Sequence, residues 1–281
     1  MKSYIEFPYM GLKFFVDRVA FYIVDRPVYW YGLIIAMGLV VAAIATIYLG
    51  KKNQVSSDTV LDIVLWGIPS AIVCARAYYV IFNINEYIDN LWDAFKIWNG
   101  GIAIYGAIIG AVISTVVYCK IKKINTLKVM DVGSIGLVIG QIIGRWGNFF
   151  NQEAFGTNTT LPWAMSGSEI VRKLTFMKNS GLNVDPSLPV HPTFLYESLW
   201  NVLVLGLLLI VFLKFLKYDG KVFWTYIASY GLGRLFIEGL RTDSLYIGSF
   251  RISQLVAVFC IIFGLIMLVY NNIRIKNSIS S

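Results

Sequence analysis

Seven stretches of this sequence, near 28–48, 60–81, 101–118, 129–150, 195–213, 222–241 and 253–270, stay mainly apolar for the roughly 20 residues a helix needs to cross a bilayer. In hydrocarbon each backbone N–H and C=O must be bonded within the protein, and a helix meets that demand inside its own segment. Composition agrees: 57% of the 281 residues are hydrophobic and 14% charged, with a mean hydropathy of +0.67. That leaves too little polar residue to cover a water-soluble surface. The expected fold class is all-α, a polytopic integral membrane protein with about seven transmembrane helices. Residues 1–281 form a single membrane domain, within which 151–192 is an extracytoplasmic insertion, a small head or arm without a confident element.

The net charge of +8 does not point to nucleic acid, because no long basic stripe lies outside short loops. The connections 49–59, 119–129 and 214–221 and the tail 271–281 are dense in Lys and Arg, whereas the basic residues of the opposite side are spread over more than twice the length. The positive-inside rule then places the amino terminus outside and the carboxyl terminus in the cytoplasm. The start "MKSYIEFPYM" lacks the basic patch and apolar stretch of a signal peptide and reads as uncleaved. Cys74, Cys119 and Cys260 lie in or beside apolar runs as small core residues. A single histidine and scattered acids build no metal site, no cofactor motif is present, and no Walker loop or nucleophile elbow occurs.

Three arginines, Arg76, Arg145 and Arg234, fall within or at the ends of the expected spans. Each costs about 2.5–3.5 kcal/mol at mid-bilayer on the insertion scale, so their retention asks for partners or a function. Glu238, Glu153 and Glu197 are the nearest carboxylate candidates. Few carboxylates among many amides and hydroxyls leave cationic donors in excess, which favours a site for an anion.

Two polar segments carry most of that chemistry. In "GRWGNFFNQEAFG", 144–156, the spacing of Arg145, Asn148 and Gln152 places all three on one side of a helix end. A guanidinium matches phosphate oxygens with a planar fork, and an amide orients a hydroxyl or ester carbonyl beside it. In "SYGLGRLFIEGLRTD", Tyr230, Arg234, Glu238 and Arg241 share a helical face, with Arg234 and Glu238 spaced for an ion pair. Gly136, Gly140 and Gly144 in span four, and Gly106 and Gly110 in span three, read as helix-packing stripes. Tyr105 puts a hydroxyl inside span three, Trp30 and Tyr31 open span one as interface aromatics, and His191 opens "HPTFLYE" as a helix-entry contact.

These residues resemble a known signature: "GRWGNFFNQEAFG" matches the bacterial prolipoprotein diacylglyceryl transferase pattern G-R-x-G-N-F-x-N-x-E-x-x-G at every fixed position. The resemblance extends, in the family's order, to "WYGL" at 30–33, "NGGIAIYG" at 99–106, "HPTFLYE" at 191–197 and "YGLGRLFIEGLR" at 230–241. Members transfer the diacylglyceryl group of phosphatidylglycerol to the lipobox cysteine of a preprolipoprotein signal peptide, forming a thioether and releasing glycerol phosphate. The resemblance therefore implies that activity, in a bacterial cytoplasmic membrane, with phosphatidylglycerol, the lipobox precursor and membrane lipid as partners and no cofactor. It implies that Arg145 and Arg234 are the headgroup and leaving-group arginines. Asn148, Asn151, Glu153 and Gly156 belong to the signature, Glu238 supports the second arginine, and Tyr31, Tyr230 and His191 line the substrate.

The expected chemistry suits these residue types. Sulfur attacks a glycerol carbon and a phosphodiester with one charge departs as a monoester that gains a second, so donors on those oxygens bind the transition state more tightly than the ground state. A thiol near neutrality needs a base or a positive field to become thiolate. Many members carry His-Gly-Gly where this chain has Tyr105, so Tyr105 is expected to orient substrate or pass a proton while the cationic field does most of the activation. His191 is the alternative base. A transporter for an anionic solute and a structural partner in a lipid-associated complex are the competing classes; internal repeats, which would favour the transporter, are not found across the seven spans.

Overall fold

The computed structural model describes residues 3–88 and 90–280. An antiparallel strand pair, β1 (Tyr4–Phe7) and β2 (Leu12–Phe15), is followed by a hairpin, β3 (Val19–Ile23) and β4 (Arg26–Tyr29). Helices then dominate: α1 (Trp30–Lys52), α2 (Ser57–Phe82), α3 (Ile104–Lys122) and α4 (Thr126–Asn151). A short strand, β5 (Ser166–Gly167), leads into α5 (Ser168–Asn179), and α6 (Thr193–Lys214), α7 (Lys221–Glu238), the small hairpin β6 (Tyr246–Ile247) and β7 (Phe250–Arg251), and α8 (Ile252–Ser280) complete the chain.

Among the described residues, six helices, α1, α2, α3, α4, α6 and α8, are long and apolar enough to cross a membrane. Between 11% and 39% of their most apolar windows is buried, so most of those side chains face outward, as they must against lipid. The protein is a multi-pass membrane protein. The seventh expected span, 222–241, folds as α7, but its 18 residues carry Lys221, Arg234 and Glu238 together with hydroxyls and glycines, which takes it below the hydropathy of the others.

The chain divides into two compact units, one formed by the residues up to Ala42 and from Gly133 onward, the other by Ala43–Val132. In the second unit, α2 and α3 pack through the glycines of span three. A Cβ on Gly106 would strike the Cys74 carbonyl, and one on Gly110 would meet the Ser70 carbonyl at 2.5 Å, so these positions let two helix backbones approach directly. Ser56 caps α2, accepting from the Thr59 N–H at 3.1 Å.

Arg76, the buried arginine of α2, is consumed locally. It donates to the carbonyls of Ala94 and Asp93 at 2.7 Å each, and of Gly100 and Gly101 at 2.7 and 2.8 Å. Its guanidinium lies 5.2 Å from the centroid of the Tyr87 ring. Gly100 and Gly101 adopt φ of +83° and +74°, which turns both carbonyls toward one cation. The expectation that Arg76 adds to an excess of anion-seeking donors is therefore corrected: it organises the loop between α2 and α3.

In the first unit, α4, α6, α7 and α8 are pinned by polar contacts between otherwise apolar faces. Ser198 donates to the Ile142 carbonyl at 3.1 Å, Gln141 to the Tyr226 hydroxyl at 3.0 Å, Trp200 to the Ser229 carbonyl at 3.0 Å and Gln254 to the Leu235 carbonyl at 3.0 Å. Gly233 gives the Trp200 indole its room. The 151–192 segment is ordered by an apolar core of its own, in which Ile5 of β1, Phe155, Met165, Ile170 and Leu174 of α5, Val190 and Phe194 of α6 pack together. β1 joins β2 and β5 in one three-stranded sheet, tying the start of the chain to that segment.

Candidate active site

The site begins where α4 stops. The helix ends at Asn151, and Gln152 and Ala154 take left-handed φ of +49° and +54°, a conformation that costs a non-glycine residue about 1–3 kcal/mol and is held only by its surroundings. Gln152 supplies that hold. Fully buried, it donates to the Ser3 hydroxyl at 2.8 Å and accepts from the Glu169 N–H at 2.9 Å. The expectation that Gln152 shares one side with Arg145 and Asn148 fails for this reason, since helical periodicity ends one residue before it.

The reversal folds Glu153 back over the last turn of α4. Its carboxylate accepts from the side-chain amides of Asn148 at 3.1 Å and Asn151 at 3.2 Å. Glu153 thus orients two amides, and the arginine carboxylates come from elsewhere. Gly147 makes room beside this turn for the Tyr31 ring of α1, which a Cβ there would meet at 2.8 Å.

Arginines from three places converge on one acid. Glu197, on the first turns of α6 with its side chain 6% exposed, lies 2.5 Å from Arg145 of α4, 3.2 Å from Arg234 of α7 and 3.2 Å from Arg241 just beyond α7. Arg234 also pairs with Glu238 one turn on, at 2.5 Å, and Arg241 with Asp243 at 2.8 Å. Three guanidiniums here face Glu197, Glu238 and Asp243, and a fourth, that of Arg251, donates to the Glu238 backbone carbonyl. Donor capacity remains in surplus, because a guanidinium presents more N–H groups than one carboxylate accepts. Burial pushes the Asp243 carboxyl up, but the bonds and charge of Arg241 outweigh it and leave Asp243 below the usual carboxylate range.

Gly156 joins the pieces. Its N–H donates to the His191 carbonyl at 2.9 Å and it bridges in antiparallel fashion to Arg241. A Cβ there would lie 2.8 Å from His191 Cβ, 2.9 Å from the Leu240 carbonyl and 3.1 Å from Thr193 Cγ2. The segment after α4 therefore threads between the start of α6 and the end of α7, which brings Arg145, Glu197 and Arg241 together. The Thr193 hydroxyl donates to the Ala154 carbonyl at the same seam.

The remaining sequence candidates separate. His191 Nδ1 lies 3.2 Å from the Tyr196 hydroxyl, which accepts from Trp163 at 2.7 Å. Burial pushes the His191 pKa below its ordinary value, favouring neutral imidazole. Tyr230 packs beside Tyr226, ring centroids 5.7 Å apart, one turn before Arg234. Tyr105, in the second unit, opens α3 with its ring 6.5 Å from that of Tyr78. Sequence reasoning had Glu197 as one carboxylate among three and gave Arg241 no role. The available signals were the early turn position of Glu197 and the Arg-x-Asp spacing of Arg241 and Asp243.

Fold and site together define a multi-pass membrane protein in which a buried cluster of arginines and carboxylates sits at converging helix ends beside an amide-lined turn. The family model for prolipoprotein diacylglyceryl transferase matches residues 18–270. A phosphatidylglycerol–prolipoprotein diacylglyceryl transferase of Finegoldia magna is 46% identical over 252 residues, covering 90% of this chain and 94% of that protein. The enzyme of the same name from Clostridioides difficile is 42% identical over 265 residues, 94% and 99% of the two chains. One from Clostridium perfringens is 43% identical over 255 residues, 90% and 94% of the two. The chain belongs to the prolipoprotein diacylglyceryl transferase family and is a transferase.

Proposed function

We propose that this protein transfers the diacylglyceryl group of phosphatidylglycerol to the thiol of a lipobox cysteine in a preprolipoprotein signal peptide, the first step of bacterial lipoprotein maturation. The observation that carries the reading is the convergence of Arg145, Arg234 and Arg241 on Glu197 beside the Asn148–Glu153–Asn151 turn. The protein works in the bacterial cytoplasmic membrane. With α7 taken as a seventh crossing beside the six apolar helices, the amino terminus is outside and the carboxyl terminus cytoplasmic, because the basic last turns of α1 and α3 and the lysines after α6 belong on the cytoplasmic side. The polar cluster and residues 151–192 then face the outer leaflet, where a secreted precursor's cysteine leaves the bilayer.

In the reaction the cysteine sulfur forms a bond to the glycerol carbon as that carbon's bond to the phosphate oxygen breaks. The electron pair leaves with oxygen, the thiol proton passes to a base or to water, and the products are a thioether and glycerol phosphate. The phosphate gains a full negative charge as it departs. Arg145 and Arg234 meet that charge with fixed N–H groups in a site where water competes poorly, which lowers the barrier. Glu197 and Glu238 hold the two forks in place. Asn148, Asn151, Glu153, Gly156, Tyr31, Tyr230 and His191 shape the substrate site, and Tyr105 orients substrate or relays the proton.

Incubation of the purified protein with phosphatidylglycerol and a lipobox peptide tests this directly. Mass spectrometry should find a diacylglyceryl adduct on cysteine, and Arg145→Gln or Arg234→Gln should reduce its rate by about 10²–10³-fold, the usual effect of removing one preorganised oxyanion donor. Adduct formation at the normal rate in either variant would reject the assignment.

A further inference from the structure

A second concentration of positive charge lies outside the arginine cluster. A cavity of about 570 Å³ opens between the β3–β4 hairpin, the start of α1, the end of α4 and α5. Arg18, Arg172 and Lys173 line it, together with Tyr31, Asn151 and Glu153. Two of the cations are anchored on the carbonyl end of α4: Arg18 donates to the Asn151 carbonyl at 3.0 Å and Lys173 to the Gln152 carbonyl at 3.2 Å. Glu169 holds Arg18 at 2.8 Å and Arg172 at 2.7 Å through a single oxygen.

This arrangement is short of negative charge. Three cations face Glu169 and Glu153, and the Arg18 Nε is buried without a hydrogen-bond partner. The first turn of α1 holds no acid, and its Tyr31, Gly32 and Leu33 form part of the wall. A Cβ at Gly32 would meet nothing within 4 Å, so the wall there is open space. Burial pushes the Lys173 pKa down, with Glu153 and Glu169 opposing the shift and Arg18 and Arg172 adding to it. The pocket has the size of a small-ligand site, and Asn151 and Tyr31 add neutral hydrogen-bonding groups suited to hydroxyls.

We propose that this cavity binds a phosphoglycerol anion, either free glycerol phosphate after its release or the headgroup of a lipid in the outer leaflet, through Arg18, Arg172 and Lys173. The inference rests on the proposed transferase reading for its choice of anion. Its position supports that choice. Asn151 and Glu153 belong at once to this cavity and to the turn that holds Asn148, one helical turn from Arg145, so a departing monoester finds the second cationic site next to the first.

The test measures binding to the full-length protein with no peptide acceptor present, so that a failure of transfer activity does not decide it. Equilibrium binding of labelled glycerol phosphate in detergent, and of phosphatidylglycerol in nanodiscs of otherwise neutral lipid, is compared among the wild type, Arg172→Gln, Lys173→Gln and the double variant. Each lost charge should weaken the relevant ligand about three- to tenfold, and Arg172→Lys and Lys173→Arg should restore most of the affinity. Weakening confined to glycerol phosphate assigns the cavity to the product, and weakening confined to the lipid assigns it to a headgroup. Unchanged affinity for both ligands in the double variant, or binding of neither by the wild type, overturns the proposal.

Discussion

Arg145 of α4 and Glu197 of α6 stand 2.5 Å apart, and the same carboxylate is within 3.2 Å of Arg234 and Arg241. One acid, nearly sealed from solvent, thereby sets the spacing of three guanidiniums that come from separate parts of the chain. Removing a single partner of a buried ion cluster leaves uncompensated charge, which costs far more than the cluster's net contribution.

Glu197→Gln keeps the shape of the side chain and deletes the charge. Both readouts should fall: stability by about 3 kcal/mol, seen as a lower melting temperature in detergent, and transfer rate by about 10²-fold as the arginine forks lose their common anchor. A variant with the wild-type melting temperature and rate would show that the three arginines are held without it.

Gly156→Ala places a Cβ where His191, Thr193 and the Leu240 carbonyl already lie within 3.1 Å. Backbone must move, and with it the bridge to Arg241. Transfer should drop by at least about tenfold while the protein still inserts and purifies as wild type. Activity within a factor of about two of wild type would mean the seam can open without disturbing the site.

The base question divides Tyr105 from His191. With its pKa held below the ordinary value, His191 is neutral near pH 7, so a rate that depended on it would rise as pH climbs through a midpoint below about 6.5 and be flat above. Tyr105→Phe is expected to lower the rate about tenfold and His191→Gln to leave the pH profile above 6.5 unchanged. Full activity in Tyr105→Phe would remove the hydroxyl from the mechanism. The same shift has a stability consequence. As pH falls through about 6.5, the unfolded chain protonates this histidine before the folded one does, so His191 makes stability decline on acidification until its folded pKa is passed. The melting temperature of His191→Gln should lose that component between neutral pH and about pH 5.

Arg76→Met removes four hydrogen bonds to the carbonyls of Asp93, Ala94, Gly100 and Gly101. Limited proteolysis should cut faster between α2 and α3, since an unbonded loop opens at lower free energy. Unchanged protection there would deny Arg76 its organising role.

The apolar runs, the arginines interrupting them and the "GRWGNFFNQEAFG" turn are legible in the sequence because spanning length, charge cost and local motif are properties of neighbouring residues. Residues 151–192 were not, since their order comes from packing Ile170 and Leu174 against Ile5 and Phe194, far away in the chain. Helical spacing paired Arg234 with Glu238 correctly, yet put Gln152 beside Arg145, because no periodicity announces that α4 ends at Asn151 and reverses through two left-handed residues. The sequence by itself determined a helical membrane chain and the Arg234–Glu238 pair, as hydropathy and local spacing act over a few turns. Only the tertiary structure decided that Glu197 gathers Arg145, Arg234 and Arg241 while Arg76 serves a loop, because ion pairing in a buried site depends on which helix ends meet.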